Sequence, residues 1–278
     1  MVAVDRSRVA VQRRTDRRVA PVAVGRVIGR ELQVYRRLWH STLFSYFIGP
    51  SLFLGAMGVG LGGLVQAASN GVDGLSYLEF VAPGLLVATT MQTAAADSLW
   101  PVLGGMKWLR TFHGMAATPL RASEIYTGEL LWIGIISVLS GTAFLLVAAV
   151  LGALASVGAV LALPIAILTA LAFAAPIMAF SANQESDARF PLIIRFLVQP
   201  LFLFSGTFFP ISQLPALLVP LAWISPLWHG IELARAATTG NWAALSPAAA
   251  LGHLAYLVAF VAGGWWLGTA SFSRKLAT

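Results

Sequence analysis

The chain has 278 residues, of which 58% are hydrophobic and only 10% are charged, and its formal net charge is +7. A soluble domain carries about 25% charged residues, so a water-soluble globular protein is excluded. With no cysteine in the chain, disulfides, thiolate metal sites and cysteine nucleophiles are excluded too.

The positive charge is concentrated at one end. Residues 1–40 hold ten arginines against Asp5, Asp16 and Glu31, so everything after residue 40 is neutral overall. Residues 1–24 read as a disordered basic arm. Arg13-Arg14 and Arg17-Arg18 resemble twin-arginine pairs, but no apolar segment follows within reach, so no secretory signal is expected. A basic arm beside a membrane anchors topology or touches anionic lipid, and no nucleic-acid partner is expected. Over 26–40 the pattern changes: Ile28, Leu32, Tyr35 and Trp39 fall on one helical face. The spacing predicts an amphipathic helix in the headgroup plane, with Trp39 at the interface.

Six apolar stretches follow, near 42–65, 80–101, 128–152, 158–181, 192–210 and 248–270. Each approaches the roughly 20 residues that a span needs, so the expectation is an all-α integral membrane protein with six transmembrane helices. Arg and Lys fall in the N-terminal arm, in the second and fourth connections and in the C-terminal tail; among the outward connections only Arg235 breaks the pattern. Lys and Arg accumulate in cytoplasmic loops, which puts both termini in the cytoplasm. The Ala, Val, Gly and Arg bias, with two lysines, points to a GC-rich bacterial genome and hence to a bacterial plasma membrane.

In the first stretch Gly58 and Gly62 stand in the small-xxx-small spacing that lets helices approach closely, serving either packing within one subunit or a subunit interface. Asp97 sits near the inner end of the second stretch, where an ionisable group is a functional candidate unless it reaches water. The second connection, 102–127, is the longest on the inner side. Its first part, around 105–117, reads as a short helix along the membrane, broken at Thr118-Pro119. Ser123 or Thr127 is the expected cap of the next span. Pro164 and Pro176 predict kinks in the fourth stretch. Beyond the fifth, Pro210, Pro215, Pro220 and Pro226 recur too often for an ordinary span. Residues 206–240 are therefore expected to be broken helices folded back into the outer half of the membrane, covered by protein or lining a cavity.

Catalytic and binding motifs are missing. The two lysines, Lys107 and Lys275, do not follow glycine, so there is no phosphate-binding Gly-Lys loop. His40, His113, His229 and His253 are scattered and form no metal pair. No Gly-x-Ser-x-Gly elbow occurs. Glu185 and Asp187 beside Arg189 read as a solvated loop, and the spans lack the polar rings of an ion filter. The chain moves or holds something without an energy source of its own.

These features resemble the membrane subunit of an ABC-2 type exporter. The amphipathic helix before the first span carries part of the likeness. The segment Met115-Ala-Ala-Thr-Pro-Leu-Arg-Ala-Ser-Glu124, leading into Gly128-Glu129-Leu130, carries another part. Ser205-Gly-Thr-Phe-Phe-Pro210 with Leu214-Pro215 and Ser225-Pro226-Leu227-Trp228-His229 carries a third. The stretch Leu99–Trp108 is most similar to the NodJ-like branch, which includes lipo-oligosaccharide exporters, with daunorubicin/doxorubicin-resistance permeases as near relatives. The resemblance implies a pair of permeases, identical or paralogous, each docked on a separate cytoplasmic ATPase. ATP and Mg would sit on that ATPase, leaving no cofactor or metal on this chain. It implies that 102–127 is the coupling loop, with Lys107, Trp108, Arg110 and His113 touching the ATPase. Residues 26–40 would be the interface helix, and 206–240 would be the re-entrant exit segment, with Gly206, Phe209, Pro210, Pro215 and Pro226 shaping it. The implied cargo is a drug, lipid or lipid-linked glycan, with Phe202, Phe204, Phe208 and Phe209 as candidate contacts. The competing readings are a membrane enzyme acting on a lipid-linked substrate, for which His229, Glu232 and Arg235 form the one outer cluster, and a non-transporting scaffold.

Overall fold

The computed structural model describes residues 19–64, 72 and 74–277. Most of the expected basic arm, residues 1–18, and the end of the first apolar stretch at residue 65 lie outside the described residues. Among the described residues the elements are helical, apart from one isolated bridge between Val72 and Leu75. Among the described residues, four helical segments are long and apolar enough to cross a membrane: Tyr46–Leu64, Ala122–Val150, Val157–Ser181 and Pro247–Leu276.

Helix α1, Pro21–Gly55, begins with a proline in its first turn, where the missing N–H costs nothing. It runs without interruption through the expected boundary near residue 41 and continues as a π-helical stretch, Ala56–Leu61. Gly58 faces Leu78 in the next helix, so part of the small-residue stripe serves packing within the chain.

Helix α2, Tyr77–Asp97, is the centre of the fold and packs against three later helices: α5 (Ala122–Val150), α6 (Ala162–Ser181) and α10 (Pro226–Thr239). Its start is a capping box. Ser76 Oγ accepts from the Glu79 amide, and the Ser76 amide donates to Glu79 Oε2 at 2.9 Å. After α2 come α3 (Trp100–Leu103), a π-helical turn (Gly104–Trp108) and α4 (Thr111–Ala116).

The start of α5 is capped by Glu124 rather than by Ser123 or Thr127. The amide of Arg121 donates to Glu124 Oε2 at 2.9 Å, and the amide of Ala20, before α1, donates to Oε1 at 3.1 Å. One buried carboxylate thus closes two helix N-termini, where a negative charge is favoured. From there α1 climbs along α5: Val27 against Gly128, then Tyr35 edge-on to Trp132 at 5.7 Å.

Apolar attraction between helices is lost in lipid, and close backbone packing replaces it. The clearest case is α11, Pro247–Leu276, whose Gly268 has no room for a Cβ beside the Tyr126 ring of α5. The Tyr126 hydroxyl donates to the Ala175 carbonyl of α6 at 2.8 Å, with the Gly264 carbonyl of α11 at 3.2 Å as a second acceptor. A single side chain thereby ties α5, α6 and α11 together.

The fifth apolar stretch is shorter than its composition implies. Helix α7 (Phe190–Ile193), a π-helical stretch (Ile194–Val198) and α8 (Gln199–Phe204) are continuous, but the helix stops at Phe204. At 1.5 Å per residue this is roughly 22 Å, against a hydrocarbon core of about 30 Å. Residues 206–240 are broken as the prolines require: a 3-10 turn (Ile211–Gln213), α9 (Val219–Ile224) and α10, which ends at Gly240 in the left-handed region.

Candidate functional site

The fold has two distinct ends. At the lysine end, α2 gives way to α3 where Ser181 Oγ donates to the Leu99 carbonyl at 2.8 Å. Trp100 then stands edge-on to Phe190 with centroids 5.5 Å apart. Val102, Leu103 and Met106 are buried. The chain next projects from the bundle. Trp108 is 58% and Leu109 75% exposed, and Arg110 turns the chain with φ +52°, the one non-glycine positive φ among the described residues. A non-glycine residue in the left-handed region costs on the order of 1–2 kcal/mol, so the surrounding structure must enforce it.

Phe112 supplies that anchor. Its ring lies in the space a Cβ on Gly105 would need, 2.5 Å from that position. It packs at 5.5 Å on Phe272 of α11, which stands edge-on to Tyr126 at 5.1 Å. The exposed knuckle 107–110 is thus mounted on an aromatic stack reaching two spanning helices. Thr118 Oγ donates to the Met115 carbonyl at 2.6 Å, closing α4 just before Pro119.

The four predicted coupling residues divide. Trp108 and Arg110 are both exposed. Lys107 turns aside to Glu185 Oε2 at 2.5 Å. His113 is half-buried, and its Nδ1 is enclosed without a hydrogen-bond partner. Of the interface-helix residues, Leu32 and Trp39 are exposed, while Ile28 and Tyr35 are half-buried; the face held by α5 is centred on Val24 and Val27. Arg195, within the fifth apolar stretch, is exposed in the π-helical part of that helix.

The proline end is organised by hydrogen bonds to backbone. Gly206 has φ +85°, a turn that only glycine makes cheaply. Arg235 of α10 donates from Nη2 to the Gly206 carbonyl at 2.7 Å, lies 4.1 Å over the Phe80 ring of α2 and pairs with Glu232 at 3.2 Å. Ser205 and Ser225 meet at 3.0 Å through their hydroxyls, and Ser225 also caps α10. Phe208 joins Phe202 and Phe53 in an aromatic cluster, with Phe202 edge-on at 5.1 Å. Phe209 and Pro210 line a cavity of about 570 Å³ with Met57, Leu61, Tyr77 and Phe208. Pro215 is exposed and Pro226 buried.

The outer cluster weighed as a catalytic set is divided between partners. His229 Nδ1 lies 2.7 Å from His253 Nδ1 and its Nε2 is 3.0 Å from the Trp223 carbonyl; its ring stacks on Tyr256 at 3.9 Å. These partners draw His229 toward α11, whereas Arg235 is directed at the Gly206 turn. No group of three or more metal-binding side chains occurs among the described residues.

Residues 23–238 match the family described as ABC-2 type transporter. The chain belongs to the ABC-2 type transporter family. It is 31% identical over 253 residues to Nodulation protein J of Rhizobium leguminosarum bv. viciae, covering 88% of this chain and 94% of that protein. It is 30% identical over 253 residues to Nodulation protein J of Rhizobium meliloti (strain 1021), covering 88% and 93%. The likeness to Nodulation protein J of Sinorhizobium fredii is 31% over 255 residues, covering 88% and 93%. Family membership makes the chain a membrane transport component rather than an enzyme.

Proposed function

We propose that this chain is the permease subunit of an ATP-driven exporter, energised by a separate ATPase that docks on its lysine end. The observation that carries the reading is the knuckle at 107–110. Exposed Trp108, Leu109 and Arg110 are mounted through Phe112 on the aromatic stack of α5 and α11, so a push there reaches the spans directly. In this reading the lysine end is cytoplasmic, both termini lie inside, and the protein resides in a bacterial plasma membrane. Short helix α7–α8 serves as the fifth of six spans. The broken segment 206–240 is the re-entrant exit.

Two permeases pair, and the exposed first span, Tyr46–Leu64, is the surface available for that contact. The cargo is an amphipathic drug, lipid or lipid-linked glycan. The aromatic cavity at Phe208, Phe209 and Pro210 supports an apolar portion on that cargo, and the Nodulation protein J relatives support the lipo-oligosaccharide branch over drug resistance.

The experiment is co-purification of the tagged chain in mild detergent, with ATPase activity measured on the product. Trp108→Ala and Arg110→Ala should each lower the recovered ATPase activity by about tenfold or more, as Trp and Arg anchors do at interfaces, with membrane insertion unchanged. Full activity in both variants contradicts the assignment.

A further inference from the structure

Glu185 reads in sequence as part of a solvated loop. In the structure it receives both lysines that the chain possesses. Lys107 Nζ, 78 residues away on the π-helical turn, is 2.5 Å from Glu185 Oε2, and Lys275 Nζ, 90 residues away in the last turn of α11, is 3.3 Å from Oε1. The two amines use different oxygens of one carboxylate, so neither displaces the other. Glu185 itself sits in the short turn after α6, where Gln184 Nε2 donates to the Phe180 carbonyl at 3.2 Å and Arg189 Nη1 donates to Gln184 Oε1 at 3.4 Å. Asn183, two residues before it, donates to Ser271 Oγ of α11 at 3.1 Å. The turn is therefore fixed to α11 by a neutral contact as well as by charge.

We infer that Glu185 is a positioning residue: its carboxylate clamps the knuckle 104–110, the α6–α7 turn and the end of α11 into one body that moves together. The inference rests on the reading of that knuckle as the coupling element, but its geometry stands without the ATPase. Phe112 anchors the far side of the knuckle in the aromatic stack. Lys107 is the tie on the near side. With both in place, displacement of Trp108 and Arg110 is transmitted to α6 and α11 at once, where Phe112 alone reaches α5 and α11. The clamp is exposed, with Glu185 at 72% and the lysines at about one-third. Solvent weakens such pairs, so each is a modest restraint that adds to the Phe112 anchor and the Asn183–Ser271 contact.

The test is amide hydrogen exchange on the full-length chain in lipid nanodiscs. Glu185→Gln removes both ion pairs and keeps the side chain's size. The expected result is exchange faster by about two- to fivefold for each lost pair in segments 104–110 and 272–276, with α2 and α5 unchanged. Lys107→Gln should speed 104–110 alone, and Lys275→Gln should speed 272–276 alone. Reversing all three charges together, Glu185→Lys with Lys107→Glu and Lys275→Glu, should restore wild-type exchange. Wild-type exchange in Glu185→Gln overturns the clamp. So does an increase that the triple reversal leaves in place, or one that spreads through α2 and α5 in all three single variants. The coupling reading is scored separately, by ATPase activity of the co-purified complex. Faster exchange with undiminished coupling would keep the clamp and remove the knuckle's role, whereas unchanged exchange removes the clamp whatever coupling does.

Discussion

The lysine end and the proline end solve opposite problems with different chemistry. At the lysine end an exposed, strained knuckle is held by dry aromatic packing, Phe112 on Phe272 on Tyr126, with its charges at the rim. At the proline end no continuous helix is available, and the break at Gly206 is held by polar contacts to backbone and hydroxyls: Arg235 to the Gly206 carbonyl, and Ser205 to Ser225. Aromatic packing transmits displacement because interiors are close-packed and stiff. Backbone atoms freed by a broken helix in a membrane must instead find donors and acceptors. One end is stiffened by side-chain packing, and at the other a charged side chain repairs the backbone of a broken helix.

The sharpest way to break this contrast is Phe112→Ala. Removing a fully buried phenylalanine costs about 3–5 kcal/mol, so thermal unfolding in detergent should fall markedly. Exchange should rise first at the lysine end, with the Gly206 turn unaffected. Arg235→Gln is the counterpart. It loses the charge-assisted bond to Gly206 and the contact with Phe80, worth about 2–3 kcal/mol together, and should raise exchange in 205–210 while leaving 104–116 alone. If either substitution loosens both ends equally, the two ends are not separately built.

The smallest effect is a pH dependence confined to the lysine end. Hydrogen bonds from Lys107 and then Lys275 hold the Glu185 carboxyl below the usual carboxylate range. A lowered folded-state value means that the carboxylate's contribution is fully present above the ordinary glutamate range and is lost as pH falls through the lowered value. Protection of 104–110, taken relative to the intrinsic exchange rate at each pH, should therefore be flat at neutral pH and fall only under strongly acidic conditions. In Glu185→Gln this acid-dependent loss of protection should disappear.

Much of the architecture is readable in the sequence because period and proline are local signals. The long apolar runs became α5, α6 and α11, and the recurring prolines of 206–240 became short helices. Charge asymmetry singled out Arg235 as an outward exception. Its reason is tertiary: it faces inward, balanced by Glu232 and bonded to a carbonyl that Gly206 turns toward it. Glu185 could not be read at all, because its partners are 78 and 90 residues distant and nothing local marks them. The same holds for Tyr126, whose three-helix tie depends on a glycine 142 positions on being unable to carry a side chain. The fifth stretch was overlong in sequence because apolar residues continue past Phe204 into the turn, where they line a cavity instead of a helix face.

The proposed cytoplasmic placement of the lysine end and its contact with an ATPase can be measured directly. A cysteine-free chain permits the direct measurement: Leu109→Cys, labelled with a membrane-impermeant maleimide in right-side-out and inside-out vesicles, with and without the co-expressed ATPase. Labelling is expected only in inside-out vesicles, with protection when the ATPase is present. Labelling from the outer side, or inside labelling that the ATPase leaves unchanged, would contradict it.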